Sequence, residues 1–123
     1  MYTYSFEKLE VWIEAKSLAK EIYKLTNNFP KEEKFGLTSQ LSRASVSICS
    51  NIAEGSARKT NKDKAHFTTI AFSSAVEVLN QLILIYELNF ITKDTYLKLR
   101  EDIESITNKL NALRNHQINK KTH

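Results

Sequence analysis

Very few residues in this sequence let the chain turn, and that limits its fold more than any other feature. Its 123 residues include two glycines, Gly36 and Gly55, and one proline, Pro30. An all-β domain of this size needs turn residues every eight to twelve positions, and a dinucleotide-binding fold needs a glycine-rich loop. Neither pattern is present. Long helices joined by few connections remain, and a chain this short has room for one domain around one core.

The apolar spacing gives the helices. Val11, Ala15, Leu18, Ile22, Leu25 and Phe29 step by four and three, with Trp12, Ala19, Tyr23 and Thr26 beside them. This predicts a first helix over about 7–28, ended by Asn27-Asn28-Phe29-Pro30, because the residue before a proline leaves the α region. Residues 31–36 form a connection with room for one helical turn. A second helix is predicted over about 37–58. Its core stripe of Leu37, Leu41, Ala44 and Ile48 runs on through Asn51 and Gly55, and Ser42, Val46, Cys49, Ala53 and Ala57 line a second face.

After the polar break Arg58–Lys64, with Thr60 or Asn61 as cap, the third helix spans about 62–89 and is apolar almost all round. Thr92 caps a fourth helix over about 93–116, where Tyr96, Leu99, Ile103, Ile106, Leu110 and Leu113 make the cleanest stripe in the chain. Residues 117–123 are expected to fray. The fold class is all-α: one antiparallel up-down-up-down four-helix bundle over 1–123.

Chemistry is sparse. His66, His116 and His123 lack partners at metal spacing, so neither a metal nor another cofactor is expected. Cys49 stands alone, which rules out an intramolecular disulfide and favours a small buried role. No serine sits in a nucleophile context. Glu54 lies four residues before Arg58, an ion-pair spacing, and Asn51 on the core stripe reads as a register or assembly device. Gly55 weakens a helix interior by about 1 kcal/mol relative to alanine, so its expected benefit is close approach of another helix or a local bend. Asn51, Glu54 and Gly55 are therefore read as structural, and no enzyme activity is expected.

Net charge is +4. The first 30 residues are balanced, and the excess falls in 31–60 and 91–123. Arg43, Arg58, Lys59, Lys62 and Lys64 are the candidate phosphate contacts, the last four beside the start of the third helix. The N-terminus lacks a signal-peptide layout. The longest purely apolar run, Leu82-Ile83-Leu84-Ile85-Tyr86, is too short to span a bilayer. The expected setting is cytoplasmic, with no membrane partner. Apolar rows on helices two and three exceed what one bundle core uses, which predicts a homo-oligomer.

Several blocks of sequence resemble a known family. They are Phe6-x-x-Leu-x-Val-Trp12, Phe29-Pro30-x-x-Glu33-x-Phe-Gly-Leu37, and above all Gln40-Leu-Ser-Arg-Ala-Ser-Val-Ser-Ile-Cys-Ser-Asn-Ile-Ala-Glu-Gly55 with Arg58. Phe67, Ala71, Ser74 and Glu77 continue the match. Together they resemble the proteins encoded in 23S rRNA intervening sequences, over about residues 6–91. That family is similar in fold to the accessory variability determinant of diversity-generating retroelements, a basic pentameric barrel that binds nucleic acid and a reverse transcriptase.

The resemblance implies a four-helix bundle assembled as a ring-shaped homopentamer, with RNA or DNA as partner. The alternative is a scaffold that docks a partner protein without touching nucleic acid. This chain departs from the family at Ser42-Arg43, where relatives often carry two basic residues, and at Cys49, where they often carry proline.

Overall fold

The computed structural model describes residues 1–33 and 36–119. A 3-10 turn, Ser5–Lys8, leads into α1 (Glu10–Thr26). A second 3-10 turn, Lys31–Glu33, leads into α2 (Leu37–Ser56), followed by α3 (Asn61–Glu87) and α4 (Lys93–Asn119). Each helix packs on its two neighbours, α1 on α2, α2 on α3, α3 on α4, and α4 back on α1. Among the described residues the backbones of diagonal helices do not approach each other closely. This is the arrangement of an antiparallel four-helix bundle.

The core follows the predicted stripes. Val11, Ala15, Leu18 and Ile22 meet Leu41, Ala44, Ile48 and Ile52 from α2. Ala71, Ala75, Val78, Leu82 and Ile85 come from α3, and Leu99, Ile103, Ile106 and Leu110 from α4. Of the described helices, α3 is long and apolar enough to cross a bilayer by length and composition, although its longest unbroken apolar run is short. In the bundle its most buried side is taken up by α2 and α4.

The helix ends differ from the expected bounds for identifiable reasons. Leu9 is extended (φ −72°, ψ 124°), so the chain makes a separate 3-10 turn before α1 begins at Glu10. Thr60 caps α3 by accepting a hydrogen bond from the Asp63 N–H (3.1 Å). Its C-terminus closes with Asn89 in the left-handed region (φ 63°), while the Phe90 N–H reaches the Ile85 carbonyl (2.9 Å). Asparagine tolerates that conformation best after glycine.

The last helix continues through Asn119 instead of fraying from residue 117. Gln117 is buried there and accepts a hydrogen bond from the Thr68 hydroxyl (2.8 Å), and Arg114 Nε donates to Thr69 Oγ1 (2.7 Å). These two contacts tie the end of α4 to α3. Residues 120–123, the remainder of the expected tail, lie outside the described residues.

Helices α2 and α3 approach closely through small residues. A Cβ placed on Gly55 would sit 2.9 Å from the Cβ of Phe67 and 3.4 Å from the Lys64 carbonyl oxygen. That distance is shorter than van der Waals contact, so only glycine fits without movement. The Ser47 and Ser74 hydroxyls share a hydrogen bond across the same seam (2.9 Å). Asn51, half-buried, donates its amide to the Ser47 carbonyl (2.8 Å) and hydroxyl (3.0 Å). Asn51 thus satisfies its buried amide on its own helix and orients the serine that bridges to α3.

Ion pairs hold α1 against α4. Lys109 bonds the carboxylates of Glu10 (2.9 Å) and Glu14, and Lys98 bonds Glu21 (2.6 Å) and Asp102 (2.7 Å). Burial alone would raise the Glu14 carboxyl. Hydrogen bonds from Lys109 and Ser105 outweigh it and hold the group below its ordinary value of 4.5. A carboxyl lowered on folding adds stability above its unfolded pKa and loses it as pH falls through the folded one. Thermal melts are therefore expected to show a drop in Tm below pH 4.5, and Glu14→Gln should make that drop shallower. An unchanged acid profile in the variant would remove Glu14 from the account.

Candidate nucleic-acid interface

Up-down-up-down packing brings the start of α1, the end of α2, the start of α3 and the end of α4 to one pole. Basic side chains collect there. Lys59 and Lys62 are exposed on the turn and first helical residues, Lys64 is half-buried, and His66 lies one turn further along α3. Arg114 and His116 come from the antiparallel end of α4. A groove of about 530 Å³ runs between the two helices, lined by Asn61, Lys62, His66, Thr69, Arg114 and Ile118 among others. Among the described residues no carboxylate lines it.

The five sequence candidates are not equivalent. Lys59, Lys62 and Lys64 make no ion pair among the described residues. Arg58 reaches this pole too, but its charge is engaged. Its guanidinium lies 3.6 Å from the Glu54 carboxylate and 4.4 Å from the centre of the Phe67 ring. Glu54 thus takes the i,i+4 pairing its spacing suggests, at a site open to solvent where such a pair contributes little. Arg43 stands apart, about four turns earlier on α2, roughly 20 Å along the axis. It is exposed and belongs to a different part of the surface.

Sequence reasoning missed His66 and Arg114 as members of this cluster, along with His116 and Gln117. A signal for them existed, because an up-down-up-down order places the first turns of α3 opposite the last turns of α4. Conversely, the basic character of α4 as a whole misleads. Lys98 and Lys109 hydrogen-bond to carboxylates, which raises both ammonium pKa values and uses up their charge within the bundle.

Little else in the fold is arranged for chemistry. Among the described residues no group of three or more His, Cys, Asp and Glu side chains converges as metal ligands do. Burial pushes the Cys49 thiol up to about 11, so it carries no thiolate near neutral pH. The opposite pole has its own groove of about 500 Å³, but Glu21 and Asp94 line it beside Lys24 and Lys98. An anion would meet carboxylates there.

These features define a class, an antiparallel four-helix bundle with a basic groove at one pole whose described lining holds no carboxylate. The 23S rRNA-intervening sequence protein model matches residues 7–112, and the chain belongs to that family. A crystal structure of a protein of unknown function from the S23 ribosomal protein family of Bacteroides thetaiotaomicron is similar, with 25% identity and a TM-score of 0.77. The match covers 85% of this chain and 97% of that one. No curated protein is similar enough to count as a match. The family's name links it to ribosomal RNA and describes no enzymatic activity.

Proposed function

We propose that this chain is a non-catalytic nucleic-acid-binding protein of the cytoplasm, with structured RNA as its first expected partner, acting as a ring-shaped homo-oligomer. The observation that carries this reading is the groove between α3 and α4, which gathers Lys62, His66 and Arg114 with no carboxylate among the described residues of its lining. Lys59 and Lys64 extend the positive surface towards the end of α2. A phosphate backbone drawn along this pole displaces counterions, so binding depends steeply on salt. The family's link to ribosomal RNA favours RNA over DNA.

Fluorescence anisotropy with a structured RNA tests the reading. Binding at low salt is expected, with affinity falling on a log–log salt plot with a slope of about −2 to −4 per chain for three to five phosphate contacts. Absence of binding at low salt would sink it. Recovery of a protein partner from native cytosol that survives nuclease treatment, together with no RNA affinity, would favour the scaffold alternative.

The assembly rests on a separate observation. An apolar groove of about 380 Å³ between α1 and α2 is lined by Ala19, Tyr23, Val46 and Cys49 and rimmed by Lys16, Lys20 and Lys24. On the far side of the bundle, Phe72, Val76 and Leu79 form a second apolar groove beside Glu104 and Arg100. Two different apolar faces on one subunit suit a head-to-tail contact, which makes a ring where the rotation between copies closes and a filament where it does not. Light scattering is expected to give a multiple of the 14.2 kDa chain mass, five copies being the number the resemblance implies. Val46→Asp should shift the particle towards the single chain. A wild-type particle of one chain mass at micromolar concentration would contradict the assembly.

A further inference from the structure

Beside the α3–α4 groove, and sharing Asn61 and Gln117 with it, lies a second cavity of about 240 Å³ that closes the pole. Exposure orders its walls by depth. Ile52, Thr68 and Gln117 are buried and form the floor. Leu9, Leu113, Ser56 and Lys64 are half-buried, and Ser5 and His116 stand at the rim.

The floor is polar on one side only. Gln117 is 9% exposed, and its carboxamide oxygen is fixed by the Thr68 hydroxyl at 2.8 Å. Its Nε2 donors have no partner among the described residues, and neither does the Lys64 ammonium. Among the described residues no carboxylate lines the cavity. The Gln117 amide and the Lys64 ammonium thus stand as donors beside the oxygens of Ser5, Ser56 and Thr68, while Leu9, Ile52 and Leu113 present an apolar wall on the other side.

A ligand that satisfies both sides has a flat apolar body, acceptor atoms at its edge and a negative charge near the mouth. At about 240 Å³ this space lies below the roughly 300–1,000 Å³ of drug-sized pockets, so it admits a single base-sized ring with the attached phosphate left at the mouth, and it excludes a duplex. We infer that the pole cavity is a binding site for a single phosphorylated nucleotide, with the base against Leu9, Ile52 and Leu113, its edge acceptors facing the Gln117 amide, and the phosphate beside Lys64 and His116. The nucleotide is either free or the phosphorylated end of a strand lying in the adjoining groove. The strand-end form rests on the nucleic-acid reading above, and the free form does not.

Two measurements on the full chain test this. The first compares short single-stranded RNAs that differ only in carrying a terminal phosphate or a terminal hydroxyl. The phosphorylated strand is expected to bind about tenfold tighter. His116→Ala, at an exposed position beside the phosphate, should reduce that preference to within about twofold. Gln117→Leu, close in size, removes the contact to the base edge and should weaken both strands. The second measurement titrates free adenosine or uridine monophosphate and inorganic phosphate while following the Ile52 and Leu113 methyl resonances.

Shifts with a monophosphate, larger than with phosphate alone, support the site even if no RNA binds, in which case the site holds a free nucleotide and the strand-end form falls. No end preference together with no methyl shifts overturns the site. Equal response to phosphate alone overturns the nucleotide assignment.

Discussion

Replacing Lys62, Lys64 and Arg114 together by glutamate is expected to lower affinity for structured RNA at least a hundredfold at low salt. Three cations leave the pole and three anions arrive. A hundredfold loss corresponds to about 2.7 kcal/mol, or roughly 0.9 kcal/mol per reversed site, within the range of a lost phosphate contact. Lys62 and Lys64 make no ion pair among the described residues, whereas Arg114 gives up the hydrogen bond from its Nε to Thr69 that helps tie α4 to α3. The reversal should therefore lower the melting temperature only by what Arg114→Gln alone lowers it. Arg43→Glu provides the contrast. It alters a candidate that stands roughly 20 Å along α2 from Arg58, and its effect is expected to stay under threefold. A large loss from Arg43→Glu with little from the triple reversal would move the binding face to the middle of α2.

The second large effect lies in the core. Gly55→Val is expected to destabilise the bundle by about 3 kcal/mol or more, read as a lowered midpoint in denaturant titration. The first carbon added at this position would meet Phe67 Cβ at 2.9 Å, and overpacking by even one carbon typically costs about 1–3 kcal/mol. Valine adds two more carbons with one stiff rotamer. Gly55→Ala should cost less, because alanine regains about 1 kcal/mol of helix propensity. The α2–α3 seam must open to admit a side chain here, and opening it displaces Phe67 and the Arg58 guanidinium stacked on its ring. RNA affinity should then fall along the series in step with stability. A stable, well-folded Gly55→Val protein would show that the close approach is not required.

The bundle was readable from the sequence because few residues interrupt helices and the apolar positions repeat at three and four. The stripe from Val11 to Ile22 and the stripe from Leu99 to Leu110 appear in the core as expected. Exposure on the individual helix faces was harder to read. Val76 and Leu84 on α3 are 48% and 43% exposed although Ala75 and Ile85 beside them are buried, because a helix in a four-membered bundle packs on only two sides. The chain ends of helices depend on contacts that local patterns do not contain. Leu9 breaks the first helix by extending, and Thr68 and Thr69 lengthen the last one by holding Gln117 and Arg114.

The candidate site was legible in part. Lys59, Lys62 and Lys64 stand together in the sequence and in space. Arg43 separates from them because α2 carries it up the bundle axis. Arg58 shares the pole, but Glu54 and Phe67 engage it. His66 and Arg114 are far apart in sequence, and only antiparallel packing makes them opposite walls of one groove. Charge counts also could not reveal that Lys98 and Lys109, on the same helix as Arg114, are held by Glu21, Asp102, Glu10 and Glu14. The free positive charge of this protein is a tertiary property.

Crosslinking of bound RNA followed by mass spectrometry of the modified peptides tests this placement most directly. The account predicts crosslinks concentrated in the segment from Arg58 to Thr69 and in the last turns of α4 from Arg114 to Asn119. Crosslinks confined to the lysine-rimmed α1–α2 face at Lys16, Lys20 and Lys24, or to the pole where Glu21 and Asp94 sit, would contradict it.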